Sequence, residues 1–213
     1  MRVCLFARIV LFFAAMVGLA ADQRVWEPAD MINGLDPLPK SSVPRELVTR
    51  LRVGTANIVL EQTMMKEVQA LLGGTIGHRG DASESLKWIC VHGADPAGQW
   101  ALWLESGEIY GDAIGAFEWR RIPALGQVDE RCSTLSQTSQ SIMLPVPLQL
   151  GASEVEVIKV LGRPTVRSND ILFYVHEHEE LLLGETFQTS NIIAVAVREG
   201  VVEAIQVSRV TVN

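Results

Sequence analysis

Two short helical stretches, each capped, each stopped by glycine and each followed by strand-forming runs, constrain this chain more than any other feature. In the later stretch, Ser153 is an N-cap residue, and Glu154 and Glu156 place negative charge in the first turn, where the helix dipole favours it. Val157, Ile158 and Leu161 form one apolar stripe, and Gly162 and Pro164 end the helix. The earlier stretch repeats the plan, with a cap at Thr63, apolar Val68, Leu71 and Leu72, and a stop at Gly73-Gly74. Strand patterns follow each helix. In the first half they cover 86–92, 100–105 and a long run over 108–122, which Gly111 and Gly115 interrupt as a bulge or bend. In the second half they cover 171–176, 192–198 and 201–212, with a further candidate over 181–187. Glu105-Ser106-Gly107-Glu108 and Arg198-Glu199-Gly200-Val201 are matching hairpin turns. The expected fold class is α+β, with two tandem units, each a helix packed on a three- to four-stranded antiparallel sheet.

The segments around these units differ in composition. Residues 1–20 run from basic (Arg2, Arg8) through an apolar stretch to Gly18-Leu19-Ala20, which is the order of a secretory signal peptide cut before Ala21. The apolar part falls short of the about 20 residues that a membrane-spanning helix needs. Residues 21–57 read as an extended N-terminal arm, because Pro28, Pro37, Pro39 and Pro44 forbid a continuous helix. Trp26 is the residue expected to pin the arm to the body. The first unit is then 58–132 and the second 148–213. Between them, 133–147 is polar, rich in Ser, Thr and Gln, and ends in Pro145 and Pro147, so it reads as a linker.

Cleavage after Ala20 removes two arginines and no acid. It turns 18 basic against 25 acidic residues into 16 against 25, a net charge of −9. An acidic surface repels phosphate backbones, which argues against nucleic acid as a partner, and it lacks the basic stripe of a peripheral membrane binder. Cleavage also removes Cys4 and leaves Cys90 and Cys132. In an oxidising compartment this even pair is a disulfide candidate; closing a loop of about 40 residues is worth roughly 3 to 4 kcal/mol. A bridged Cys90 could not act as a nucleophile with nearby His92. No cysteine follows the cleavage site to carry a lipid, so the mature protein is expected to be soluble, periplasmic or secreted, with no stable membrane anchor.

The phrase Leu150-Gly151-Ala152-Ser153, then Val157, then Leu161-Gly162-Arg163-Pro164 and a strand carrying Tyr174 resembles the small outer-membrane assembly lipoproteins of the SmpA/OmlA (BamE-like) type. The β-lactamase inhibitor protein fold is similar and carries the unit twice. The resemblance implies the helix-plus-sheet fold and a binding role over roughly 58–122 and 148–212. It carries over no functional residue, and the assembly lipoproteins have one unit and a lipid-bearing cysteine absent here.

His176-Glu177-His178-Glu179-Glu180 is the densest polar cluster. On a strand His176, His178 and Glu180 point the same way, a donor set that suits zinc or copper, while the alternative is a solvated strand end entering a hairpin. There is no G-x-S-x-G elbow, no S-x-x-K spacing and no G-x-G-x-x-G or phosphate loop, so neither a hydrolase triad nor a nucleotide cofactor has a handle. Trp88, Trp100, Trp103, Phe117 and Trp119 fall on first-unit strands, and Trp100 and Trp103 point to opposite faces. Aromatics on an open sheet face suit protein contacts. Trp103, Trp119 and Tyr174 are therefore the contact candidates. The function expected is a non-enzymatic exported module, without cofactor, that binds a protein or peptide of the cell envelope, for instance as an assembly accessory. Alternatives are an inhibitor of a secreted hydrolase, and a metal protein or enzyme centred on His176 and His178.

Overall fold

The computed structural model describes residues 24–25, 27–32, 47–81, 85–123, 126–136, 141–182 and 184–212. The proposed signal peptide and Trp26 lie outside them. In chain order, β1 (Arg24–Val25) precedes a hairpin of β2 (Arg50–Val53) and β3 (Ala56–Val59). The hairpin turns at Gly54, whose left-handed φ of 57° suits glycine. Then come α1 (Met65–Leu72), β4 (Ile76–Arg79), β5 (Leu86–Asp95), β6 (Gly98–Gly107), a single 3₁₀ turn over Glu108–Tyr110 and β7 (Ala116–Arg121). Three two-residue strands follow: β8 (Gln127–Val128), β9 (Ser133–Thr134) and β10 (Ile142–Met143). The rest is α2 (Glu154–Leu161), β11 (Val166–Ser168), β12 (Ile171–Leu182), β13 (Glu185–Arg198) and β14 (Val201–Val212).

The expectation of two helix-on-sheet units is corrected by the strand pairing. β11-β12-β13-β14-β7-β6-β5-β4 form one continuous sheet, joined by β9, which runs parallel to β5. The seam is the antiparallel pair β14–β7, where Phe117 faces Val207 and Trp119 faces Ile205. The chain is thus mostly β, with two helices of 8 residues each among the described residues. Geometry explains why such helices do not each define a layer. Eight helical residues span about 12 Å, whereas the 12-residue β12 and β14 span about 40 Å.

The sheet's two faces have different cover. Its inner face carries rows of large apolar side chains, among them Leu104, Phe117, Val207 and Ile193, and Leu102, Trp119, Ile205 and Val195. These pack in the main core with Val68 and Leu72 of α1, Val157 and Leu161 of α2, and Leu51, Val53 and Ile58 of a small three-stranded sheet, β10-β2-β3. The end of the segment read as an arm and the segment read as a linker therefore supply core cover. β2 and β3 begin within 21–57, and β9 and β10 lie within 133–147.

On the outer face, Trp88, Cys90, Ala101 and Trp103 form a second core with Ile122 and Cys132. Cys90 and Cys132 are joined by a disulfide, which holds the chain after β7 against that face. Two of the strand expectations also shift. The run over 108–122 is broken by the 3₁₀ turn before β7, and the candidate over 181–187 is divided between the end of β12 at Leu182 and the start of β13 at Glu185, with Gly184 between them at φ 87°.

Candidate functional site

Beside the second core, the outer face changes character. Glu105 of β6, Glu118 of β7, and Gln206 and Ser208 of β14 are all buried there. Register explains the grouping. Glu105 lies opposite Ala116, which lies opposite Ser208; Trp103 lies opposite Glu118, which lies opposite Gln206. Side chains opposite one another in an antiparallel sheet share a face, so four polar groups from three strands converge.

The N-terminal segment closes over this patch. The backbone N–H groups of Ala29 and Asp30 both donate to Glu118 Oε2, at 2.7 and 3.2 Å, and the Ile32 N–H donates to Gln206 Oε1 at 2.9 Å. Asp30 is left-handed at φ 61°, the kind of turn that points successive N–H groups at one anion. Arg79 of β4 ties the segment from the side, 2.7 Å from Asp30 and 3.3 Å from Glu27. At its start, β1 pairs in parallel with β8, just before the disulfide-held Cys132.

Between this segment, the sheet and the 3₁₀ turn lies a cleft of about 530 Å³. Its polar wall includes Asp30, Glu105, Gln206 and Ser208, and its apolar wall includes Leu86 and Tyr110. Exposed Ile109 stands at the rim. Tyr110 is fixed in two ways. Its hydroxyl lies 3.0 Å from Ser208 Oγ, and its ring lies against Gly115, where an added Cβ would come within 2.2 Å of ring carbons. Burial pushes the Tyr110 hydroxyl up to about 12, so it stays protonated.

The two carboxylates are held differently. Burial raises Glu118, against the opposing pull of Arg120, whose Nε is 3.4 Å away, and of the Ala29 and Asp30 amides. Glu105 is raised well above the ordinary carboxylate range, first by complete burial and then by the negative charges of Glu118 and Asp30. Its Oε1 accepts no hydrogen bond among the described residues.

The contact candidates sit elsewhere, and their placement corrects the expectation that they face a partner. Trp103, Trp119 and Tyr174 are buried, with 0, 6 and 1% exposure. Trp119 lies on the inner face, edge-on to Trp100 at 6.3 Å, and Tyr174 packs in the same core. Trp103 is on the outer face as its spacing from Trp100 required, but Arg120 covers its ring at 4.6 Å. His176 and His178 share a strand face, with ring centroids 5.2 Å apart. The side chain of Glu180 lies outside the described residues, among which no group of three His, Cys, Asp or Glu is placed to hold a metal ion. His92 bonds Thr134 Oγ1 at 2.8 Å rather than activating Cys90.

Glu105 and Glu118 escaped the sequence reading because an acid in a strand ordinarily points to water. The available signal was local: Glu118 sits between Phe117 and Trp119, and Glu105 follows Trp103 and Leu104. No protein-family model matches the chain, nor does any curated protein or solved structure. What the cleft can do is therefore a matter of its own residues.

Proposed function

We propose that this is an exported, non-enzymatic protein-binding module whose docking site is the cleft beneath the N-terminal segment. The observation that carries this reading is the buried Glu105 carboxyl lining an open cleft with one oxygen unsatisfied. A buried polar group without a partner costs about 1–3 kcal/mol, more if charged, so a ligand that supplies the missing bond is favoured there. The fixed walls, Tyr110 on Gly115 and the clamped N-terminal segment, support recognition without rearrangement. Export is supported by the signal-like residues 1–20 and by the Cys90–Cys132 disulfide, a bond that persists in oxidising compartments. Among the described residues no helix is long and apolar enough to cross a membrane.

A photo-crosslinking residue placed at Ile109, on the cleft rim, should give a discrete protein adduct in intact cell envelopes. The same residue at Val155, exposed on α2 over the opposite face, should not. Equal labelling from both positions, or none from 109, would reject the cleft as the docking site.

A further inference from the structure

We propose that the cleft receives a lysine or arginine side chain of the partner, with its cationic head on Glu105 and its methylene stem along Leu86, Ile109 and Tyr110. This rests on the docking role given to the cleft above and adds the chemistry of the anchor.

Charge and shape both select this occupant. Asp30, Glu105 and Glu108 contribute carboxyl groups to the lining, against the single guanidinium of Arg79. Arg79 is already engaged by Asp30 and Glu27, so it offers little to an incoming anion. Glu118 is held by two backbone amides on Oε2 and by the Arg120 charge 3.4 Å from Oε1, and it does not line the cleft. Glu105 is 3% exposed and lines the cleft, and its buried Oε1 accepts no hydrogen bond among the described residues. Once ionised, Glu105 can only accept, so a donor completes it, and a cation is the donor that also offsets the buried charge and so draws the neutral acid into its carboxylate form. The apolar wall then selects among cations. Lys and Arg carry long apolar stems that pack on such surfaces while the charged head reaches a polar group. The acidic chain as a whole, at −7, would steer a basic partner toward the site.

The state of Glu105 gives the proposal a second readout. Desolvation favours the neutral carboxylic acid in the empty cleft, and an arriving cation favours the carboxylate. Binding should therefore release a proton to the buffer. The proton leaves Glu105 Oε, and the ammonium or guanidinium stays fully protonated.

The test is calorimetric titration of the full chain with the blocked peptides acetyl-Ala-Lys-Ala-amide and acetyl-Ala-Arg-Ala-amide, in buffers of different ionisation enthalpy. A norleucine peptide and free agmatine serve as comparisons. We expect both cationic peptides to bind, with release of up to about one proton, and the norleucine peptide to bind at least about tenfold more weakly. Glu105→Gln should weaken the cationic peptides by about tenfold or more while the protein stays folded, and Glu105→Asp should restore part of the loss. Norleucine binding as tight as lysine, or unchanged affinity in E105Q, would overturn the proposal. Agmatine binding without either peptide would overturn the assignment to a partner's side chain. An adduct at position 109 in the absence of peptide binding would reject the cationic anchor and leave the docking site standing.

Discussion

At the scale of single residues, the outer face keeps groups that a core built for stability alone would exclude. Glu105 has its folded pKa raised above the ordinary value of 4.5. Between those two values the folded state binds more protons than the unfolded state, so stability falls as pH rises through that window. Glu105→Gln keeps the shape and removes the charge. It should flatten that slope and raise the midpoint of urea unfolding at pH 8, with little change at pH 4; a lower midpoint at pH 8 would mean that the carboxylate is already satisfied. Glycine supplies a second kind of legible detail. Gly77 and Gly93 each lie opposite a tryptophan, Trp88 and Trp100, whose indole covers the backbone. A Cβ on Gly93 would meet Trp100 at 2.5 Å, whereas one on Gly107 would meet nothing nearer than 3.5 Å. Gly93→Ala should therefore cost about 1–3 kcal/mol, the range for overpacking a core. Gly107→Ala should be close to neutral by the same denaturant measurement.

At the scale of elements, the helices and hairpins follow local chemistry and were the readable part of the sequence. Ser153 is the N-cap that the sequence implied: it accepts from the Glu156 N–H at 3.3 Å while the Glu156 carboxylate takes the Ser153 N–H at 2.8 Å, which completes a capping box. The earlier helix starts one residue later than its pattern suggests, with Met64 as N-cap, because the Thr63 hydroxyl is used by the Val59 N–H. What stayed illegible was the cover of the outer face. Alternation shows that Trp103 faces away from Trp100, but not that the chain returns over it. The only trace of that return is the cysteine pair. Replacing Cys90 and Cys132 together with alanine should cost about 3 to 4 kcal/mol by the chain-entropy estimate. Because Trp88 and Trp103 share a cluster with both cysteines, the variant should also shift tryptophan emission to longer wavelength under native conditions. Emission that stays unchanged while stability falls would place the bond's effect in the unfolded chain alone.

At the scale of the whole molecule, the seam between β7 and β14 decides what kind of object this is. The two halves have similar local plans, and local plans say nothing about which strand pairs with which. A strand edge exposes unpaired N–H and C=O groups, and joining two edges satisfies both. Here five consecutive residue pairs, from Ala204 with Arg120 to Ser208 with Ala116, make the two halves one sheet with a shared inner core. Unfolding one half would then strip the other of an edge partner and of the Phe117–Val207 and Trp119–Ile205 contacts. The tryptophans make this measurable. Of the 5 in the chain, Trp88, Trp100, Trp103 and Trp119 lie on β5, β6 and β7, and none lies on β11 to β14. Ile193, buried on β13, faces Val207 across the sheet. Ile193→Ala should cost about 2–5 kcal/mol, as truncating a buried isoleucine does. In a single sheet that loss moves the tryptophan-fluorescence transition by the same amount as the circular-dichroism transition, because the two signals report one cooperative event. Two independent units would instead leave the fluorescence transition in place while the circular-dichroism curve splits, and that outcome would break the seam as an energetic unit whatever its hydrogen bonds.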